Sequence, residues 1–301
     1  MTSTWRELRA HAAERLADAG ITPAEAEARF MVERASGYDA DEWLDAAEVR
    51  PPARAVARLH EMVARRVAGE PLQYVLGAWS FRGLDLMLDR RVLIPRPETE
   101  LVVEVALEEA VRMGLRRSRR RIALVDAAPR AVLADLGTGS GAIALALEAE
   151  LPDVEVWASD VSEDALAVAR ANIAGCAATR VRLATVASWF DGLPASLRGA
   201  LLLVVANPPY VAEHEVAALP DDVRLYEPRT ALVAGPRGTE AIETLLEEAR
   251  AWLAPGGTLV LELAPHQGED MRRHALELGY REVFVRDDLT ARPRVLVAHT
   301  G

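Results

Sequence analysis

Ala134-Asp135-Leu136-Gly137-Thr138-Gly139-Ser140-Gly141 is the stretch on which the reading of this chain turns. The residues ahead of it, 131 to 136, are apolar enough for a buried strand, and those behind it, about 141 to 150, suit a helix. A strand that breaks into glycines and passes at once into a helix is the opening unit of an open α/β sheet. Glycines at such a turn let the backbone approach a ligand above the strand ends, which makes the loop a cofactor site.

Gly137, Gly139 and Ala142 formally satisfy the G-x-G-x-x-G/A dinucleotide fingerprint. Asp135 points elsewhere. Its carboxylate would repel a pyrophosphate but would hold the ammonium of S-adenosylmethionine, directly or through water. The spacing Gly137, Gly139, Gly141 also fits the methyltransferase pattern better. Asp160 ends the next strand, 23 positions after Gly137, where an acid accepts hydrogen bonds from both ribose hydroxyls. Its alternative role is to cap the helix that begins after Ser162. Ser188-Trp189-Phe190 follows the third strand, and Trp189 there either flanks an adenine or packs in the core.

Outward from this loop, strands and helices alternate. Strands are expected at about 131 to 136, 154 to 160, 181 to 186, 201 to 206, 258 to 263, 281 to 287 and 294 to 299. Helices fit at about 141 to 150, 162 to 174, 239 to 253 and 266 to 278. The pattern is that of a doubly wound α/β sheet occupying residues 96–301. Upstream, Thr99 is a cap for a helix over about 99 to 113. Residues 71–95 carry Tyr74, Trp79 and Phe81 between Gly77 and Gly83 and read as β-like pieces, a hairpin connector. Residues 1–70 read as a small all-helical domain. Thr4 with Glu7 and Thr22-Pro23 with Glu25 mark helix starts, Gly20, Gly37 and Gly69 mark stops, and Pro51-Pro52 opens the last helix.

A second informative stretch is Val204-Val205-Ala206-Asn207-Pro208-Pro209-Tyr210. A buried strand ends there in an amide, two prolines and an aromatic ring. Prolines supply no N–H, so the carbonyls of Asn207 and Pro208 remain open to a ligand. The Asn207 side chain offers one acceptor and a two-proton donor, and Tyr210 an apolar face with a polar tip. Together they suit a planar NH2 group, though a strand followed by a Pro-Pro turn and a packing Tyr is the plainer alternative.

Composition narrows the chemistry. With 301 residues, 50% of them hydrophobic, the chain is long enough for a substantial core and two domains. No apolar run approaches ~18 residues and no signal-like segment opens the chain, so a cytoplasmic location and no membrane association are expected. Cys176 is the single cysteine, and His11, His60, His214, His266, His274 and His299 form no metal-binding pair, so no metal is expected. A net charge of -11 opposes broad contact with a nucleic-acid backbone. Arg112, Arg116, Arg117, Arg119, Arg120 and Arg121 form a local basic run, read as a solvated linker in preference to a contact for RNA or an acidic partner.

Taken in order, several blocks of the chain resemble the peptide-chain release factor glutamine methyltransferases. They are Pro71-Leu72-Gln73-Tyr74 through Gly77, the LIPRPETE block from Leu93 to Glu100, and DLGTGSGAIALAL from Asp135 to Leu147. Further along come Asn207 to Tyr210, Glu227-Pro228-Arg229-Thr230-Ala231-Leu232, and Leu261-Glu262. The resemblance spans nearly the whole chain, and LIPRPETE is its most specific block, since NPPY also occurs in enzymes that methylate other amines. It implies a class I (Rossmann-like) methyltransferase sheet preceded by a helical domain and a β-hairpin connector. It further implies that Asp135, Leu136, Gly137, Thr138, Gly139, Asp160, Trp189 and Asn207 contact S-adenosylmethionine. Asn207, Pro208, Pro209 and Tyr210 would hold the substrate glutamine, with Asn207 and Pro208 as the catalytic pair.

The implied substrate is the glutamine of the Gly-Gly-Gln motif of release factors, met by a monomer without nucleic acid. A glutamine on a ribosomal protein and an exocyclic nucleobase amine are the alternatives. Three departures from the family pattern are Ser188 where an acid is common, no Asp ahead of the fourth strand, and a variant stretch Leu289-Thr290-Ala291-Arg292-Pro293-Arg294.

Overall fold

The computed structural model describes residues 3–38, 41–118 and 131–301. In chain order, helices α1 (Trp5–Asp18), α2 (Ala24–Ser36), α3 (Trp43–Ala46), α4 (Ala53–Val67) and α5 (Leu72–Leu76) precede the hairpin β1 (Ala78–Phe81) and β2 (Leu84–Met87). Helix α6 (Pro97–Arg112) leads to β3 (Ala131–Leu136), α7 (Ala142–Glu150), β4 (Val154–Asp160), α8 (Glu163–Gly175), β5 (Val181–Thr185) and β6 (Leu201–Ala206). Then come β7 (Val211–Ala212), α9 (Asp221–Tyr226), α10 (Arg229–Leu232), β8 (Val233–Gly235) and α11 (Glu240–Ala249). β9 (Leu253–Glu262), α12 (Gly268–Glu277), β10 (Glu282–Asp287) and β11 (Pro293–His299) close the fold.

Two compact units emerge. One is Met1–Trp79 with Pro220–Tyr226, the other Ser80–Leu219 with Glu227–Gly301. The helical unit therefore extends beyond residue 70, the division falls inside β1, and α9 joins it from far along the chain. Its first helix starts as its sequence dictates. Thr4 Oγ1 accepts the Glu7 N–H while the Glu7 carboxylate accepts the Thr4 N–H, a reciprocal cap. Leu8 and Leu16 of α1, Met31 and Val32 of α2, and Leu59, Met62 and Val63 of α4 bury together, each stabilising the unit by about 1.5–3 kcal/mol. The Tyr226 hydroxyl donates to the Ala68 carbonyl at 2.9 Å, fastening α9 to the end of α4.

Two local expectations change here. Pro23, and not Thr22, precedes α2. Residues 72–76 form a helix and no strand, because Pro71 opens the turn and Gly77, at φ 70°, stops it.

The second unit is built on a seven-stranded sheet of order β10-β11-β9-β6-β3-β4-β5. Strands β9, β6, β3, β4 and β5 run parallel, while β11 runs antiparallel to β9 and to β10. Period-two alternation divides the strand residues between two cores. Leu133, Leu203, Val205 and Val260 join α6 and α7 in one core. Ala134, Leu136, Val204, Ala206, Leu259 and Leu261 join α11 and α12 in the other. Burial on both faces is why these strands read as continuous apolar runs. β9 begins five residues earlier than the sequence expectation, running through Pro255-Gly256-Gly257 with a register shift against β6.

Of the arginine run, Arg112 and Arg116 are exposed, as a solvated segment would have them, yet they and the less exposed Arg117 are all ion-paired. Arg116 makes a paired contact with Asp153 at 2.9 and 3.0 Å, and Arg117 bridges Glu104 and Glu150. Arg112 bonds Glu109, and Arg119, Arg120 and Arg121 lie outside the described residues. These arginines neutralise acids of α6 and of the loop and helix end around α7, a pairing invisible to a local charge count. Among the described residues, no helix is long and apolar enough to cross a membrane.

Candidate active site

Strand register assembles the site. Leu136 of β3 pairs with Ser159 of β4 and with Ala206 of β6, and Ala206 pairs with Leu261 of β9. The residues that follow these partners, Gly137, Asp160, Asn207 and Glu262, therefore stand in a row along the carboxyl edge of four neighbouring strands. The chain starts at β3, builds toward β5, then returns to β6 on the opposite side. The row thus sits at the topological switch point where open α/β sheets bind ligands. A cavity of about 310 Å3 opens above it, lined among others by Gly137, Thr138, Gly139, Asp160, Trp189, Asn207 and Pro209. That volume suits a small organic ligand.

The glycine loop forms its floor. Gly137 and Thr138 both donate their backbone N–H to Ser159 O at 2.9 Å, tying the loop to β4. Gly137 has φ 70°, and a Cβ there would lie 3.3 Å from the Trp189 ring, so the bare glycine allows the indole to close over the loop. Asp160 Oδ2 accepts the Gly139 N–H and Oδ1 the Ser162 N–H, both at 2.9 Å. The helix-capping role belongs to Ser162, whose hydroxyl accepts the Ala165 N–H, which leaves Asp160 as a lining acid. Burial raises the Asp160 carboxyl, opposed by these N–H bonds.

Asp135 and Leu136 are set beneath the lining. Asp135 is buried, its Oδ2 accepting the Thr138 hydroxyl at 2.6 Å and the Ala144 N–H at 3.0 Å, so it pins the loop to the start of α7. Its Oδ1 is buried without a partner, and burial pushes the carboxyl up to about 7 against the pull of those two donors. Leu136 is core.

The Asn207 side of the cavity holds a hydrogen-bonded chain. Asn207 Nδ2 donates to Thr99 Oγ1 at 3.1 Å, and Thr99 Oγ1 donates to Glu262 Oε2 at 2.9 Å. The Tyr210 hydroxyl donates to Glu262 Oε1 at 3.3 Å. Glu262 is completely buried, and burial drives its carboxyl up to about 7 against the Thr99 and Tyr210 bonds and the Arg294 cation. Thr99 corrects an expectation: α6 begins at Pro97 with Arg96 as its cap, so the Thr99 hydroxyl lies inside the first turn and faces the strand ends. Pro208 is buried and Tyr210 half-buried, and of the NPPY residues only Asn207 and Pro209 line the cavity.

Gln267 clamps the loop that carries Tyr210. Its Nε2 donates to Tyr210 O at 3.0 Å and to Gly238 O at 2.8 Å, while its Oε1 accepts the Ala264 N–H. Gly238 is obligatory beside it, since a Cβ there would fall 2.8 Å from Tyr210 O. Strands β7 and β8 then pair Val211 with Val233 and Ala212 with Gly235. Arg96 forms an ion pair with the buried Glu227, which fixes LIPRPETE against the segment whose Pro228, Thr230 and Ala231 line the cavity.

Comparison with known proteins gives this geometry its relatives. A family model for the PrmC N-terminal domain matches residues 7–77, and one for the Methyltransferase small domain matches residues 122–221. The chain is 37% identical over 295 residues to a release factor glutamine methyltransferase of Deinococcus radiodurans, with 97% of each chain covered. It belongs to the release factor glutamine methyltransferase family. A relative of the same name from Moorella thermoacetica is 38% identical over 299 residues, 98% of each chain. A methyltransferase of known structure from Pyrococcus furiosus shares the fold, with a TM-score of 0.50 at 21% identity over 81% of this chain and 97% of that one. The second unit therefore has the class I, Rossmann-like methyltransferase fold.

Of the residues singled out in the sequence of this family member, Gly137, Thr138, Gly139, Asp160, Trp189, Asn207 and Pro209 line one cavity, while Asp135, Leu136, Pro208 and Tyr210 lie outside its lining. Sequence reading missed Thr99 as a partner of Asn207, and it missed Gln267. The one available signal was Glu262 itself, an acid closing an otherwise apolar strand.

Proposed function

We propose that the protein transfers a methyl group from S-adenosylmethionine to the side-chain amide nitrogen of the Gly-Gly-Gln glutamine in peptide chain release factors. The observation that carries this reading is the Asn207 amide. Its Nδ2 is committed to Thr99, which leaves Oδ1 as the uncommitted acceptor of a cavity-lining side chain beside the glycine loop. The relatives that match along nearly the full chain bear the corresponding name.

The residues present fit the donor. Asp135 Oδ1 is a buried acceptor without a partner, suited to an ammonium group reached through water, and Asp160 is a lining acid suited to ribose hydroxyls. The Trp189 ring, packed over Gly137, suits an adenine face. When bound, S-adenosylmethionine supplies an electrophilic methyl on a sulfonium.

The protein's own residues must then make an amide nitrogen, whose lone pair is delocalised into its carbonyl, into an adequate nucleophile. Asn207 Oδ1 and the Pro208 carbonyl each accept one N–H of the substrate amide and fix its face. Positive charge growing on that nitrogen strengthens both bonds, so these acceptors act most strongly in the transition state. The extra proton departs after transfer, so no side chain is required as a strong base. The helical unit supplies the additional surface needed to select a protein, since one glutamine offers too little for specificity.

Incubation with methyl-labelled S-adenosylmethionine tests this directly, with intact release factor, a release factor lacking the Gly-Gly-Gln glutamine, ribosomal protein and DNA offered separately. Label confined to the intact release factor is the expected result. Label that persists on the glutamine-lacking factor, or that appears on DNA, would defeat it.

A further inference from the structure

An asparagine amide can face a cavity by either end, and the two ends do opposite things. Oδ1 accepts from a substrate NH2, whereas Nδ2 confronts it donor against donor. What sets the orientation of Asn207 is the chain that runs from Asn207 Nδ2 to Thr99 Oγ1 and on to Glu262 Oε2. Thr99 has a single hydroxyl proton. Because that proton goes to Glu262, Thr99 can only accept from Asn207, and only the Nδ2 end can serve it.

We propose that Thr99 and Glu262 are positioning residues for methyl transfer, the direction of hydrogen bonding along Glu262–Thr99–Asn207 deciding whether Asn207 presents an acceptor or a donor to the substrate amide. The proposal rests on the amide-methylating reading given above. An ionised Glu262 only accepts, and it holds the chain in its productive direction. A protonated Glu262 can donate to Thr99, whose hydroxyl then turns to donate to Asn207 Oδ1. The amide rotates by half a turn, and its NH2 faces the substrate NH2.

The surroundings place this exchange within reach of ordinary pH. Glu262 ends β9 in complete burial; Thr99 bonds it from α6, with Glu98 on the same helix opposing its ionisation. Arg294 on β11 favours its charge, and is itself 3.7 Å from Asp288. Tyr210 donates to it from the loop after β6 and is influenced in turn by Arg96. The balance leaves the carboxyl near 7.

The test is kcat against pH from 6 to 9, at saturating S-adenosylmethionine, with intact release factor as substrate. In the wild type kcat should fall about tenfold from pH 8.5 to pH 6, following the ionised fraction of a group near 7. Glu262→Gln, which has no proton to lose, should flatten that ratio to less than about twofold, whatever its plateau. The nearly isosteric Thr99→Val should lower kcat at pH 8.5 by about tenfold or more with little change in the release-factor KM, and Thr99→Ser should recover it.

A flat wild-type profile with normal methylation would overturn the proposal alone. So would an acid limb that survives in Glu262→Gln, since Asp135, the other carboxyl near 7, remains in that variant. Full kcat in Thr99→Val would do the same. Absence of glutamine methylation at every pH would instead overturn the proposed function, and this proposal with it.

Discussion

In the proposed reaction a single amide concentrates the chemistry. Replacing Asn207 by Ala should lower kcat by about 100-fold or more while the cofactor still binds, by analogy with removal of one preorganised polar group at a reacting centre. Single-turnover methylation together with calorimetric titration of S-adenosylmethionine checks both halves of that statement. At Gly137, an added methyl at φ 70° would press on Trp189. Gly137→Ala should therefore weaken cofactor binding by about tenfold or more, since strain of ~1–2 kcal/mol adds to the displaced indole. The places of Asn207 and Gly137 at the cavity were legible because each follows the end of an apolar strand with a residue of special chemistry. Thr99 was not, because a threonine near a helix start looks like a cap, and only the position of Pro97 moves it into the first turn, facing Glu262. Asp135 was half legible: it holds the glycine loop through Thr138 and Ala144, a local duty that charge arguments about a ligand do not reveal.

Among elements, parallel register does what no single side chain does, bringing four strand ends into one row. The strands themselves were readable as apolar runs, because both of their faces are buried, and β3, β4 and β6 begin and end where the apolar pattern says. Their order in the sheet was not readable from local pattern, since pairing partners are far apart in sequence. Pro255-Gly256-Gly257 fell between the helix expected to about 253 and the strand expected from about 258, and β9 absorbs it with a shift of register. The loop after β6 depends on Gln267, which no pattern marked. Gln267→Ala would leave the carbonyls of Tyr210 and Gly238 without this donor. It should destabilise the protein by about 1–3 kcal/mol, measurable as a lower urea midpoint at unchanged slope.

For the molecule as a whole, two buried carboxyls held near 7 make folding stability depend on pH. Both are raised above their unfolded values, so the native state binds protons that the unfolded chain has already released. Their contribution to stability is therefore complete below the unfolded values near 4 and is lost as pH rises through 7, by on the order of 3–4 kcal/mol for each group. Thermal unfolding without cofactor should show a melting temperature that drops between pH 5.5 and 8. Asp135→Asn and Glu262→Gln should each flatten part of the drop. The helical unit was legible from its caps and stripes, but its true membership was not, because Pro220–Tyr226 belongs to it despite a separation of some 140 residues. That membership bears on how such proteins can be recombined. The helical unit is not a cassette removable at one cut, since the backbone leaves it after Trp79, returns at Pro220 and leaves again after Tyr226. A graft that exchanges the helical unit between relatives must carry α9 along with the first helices, or the new unit arrives with one of its own helices missing.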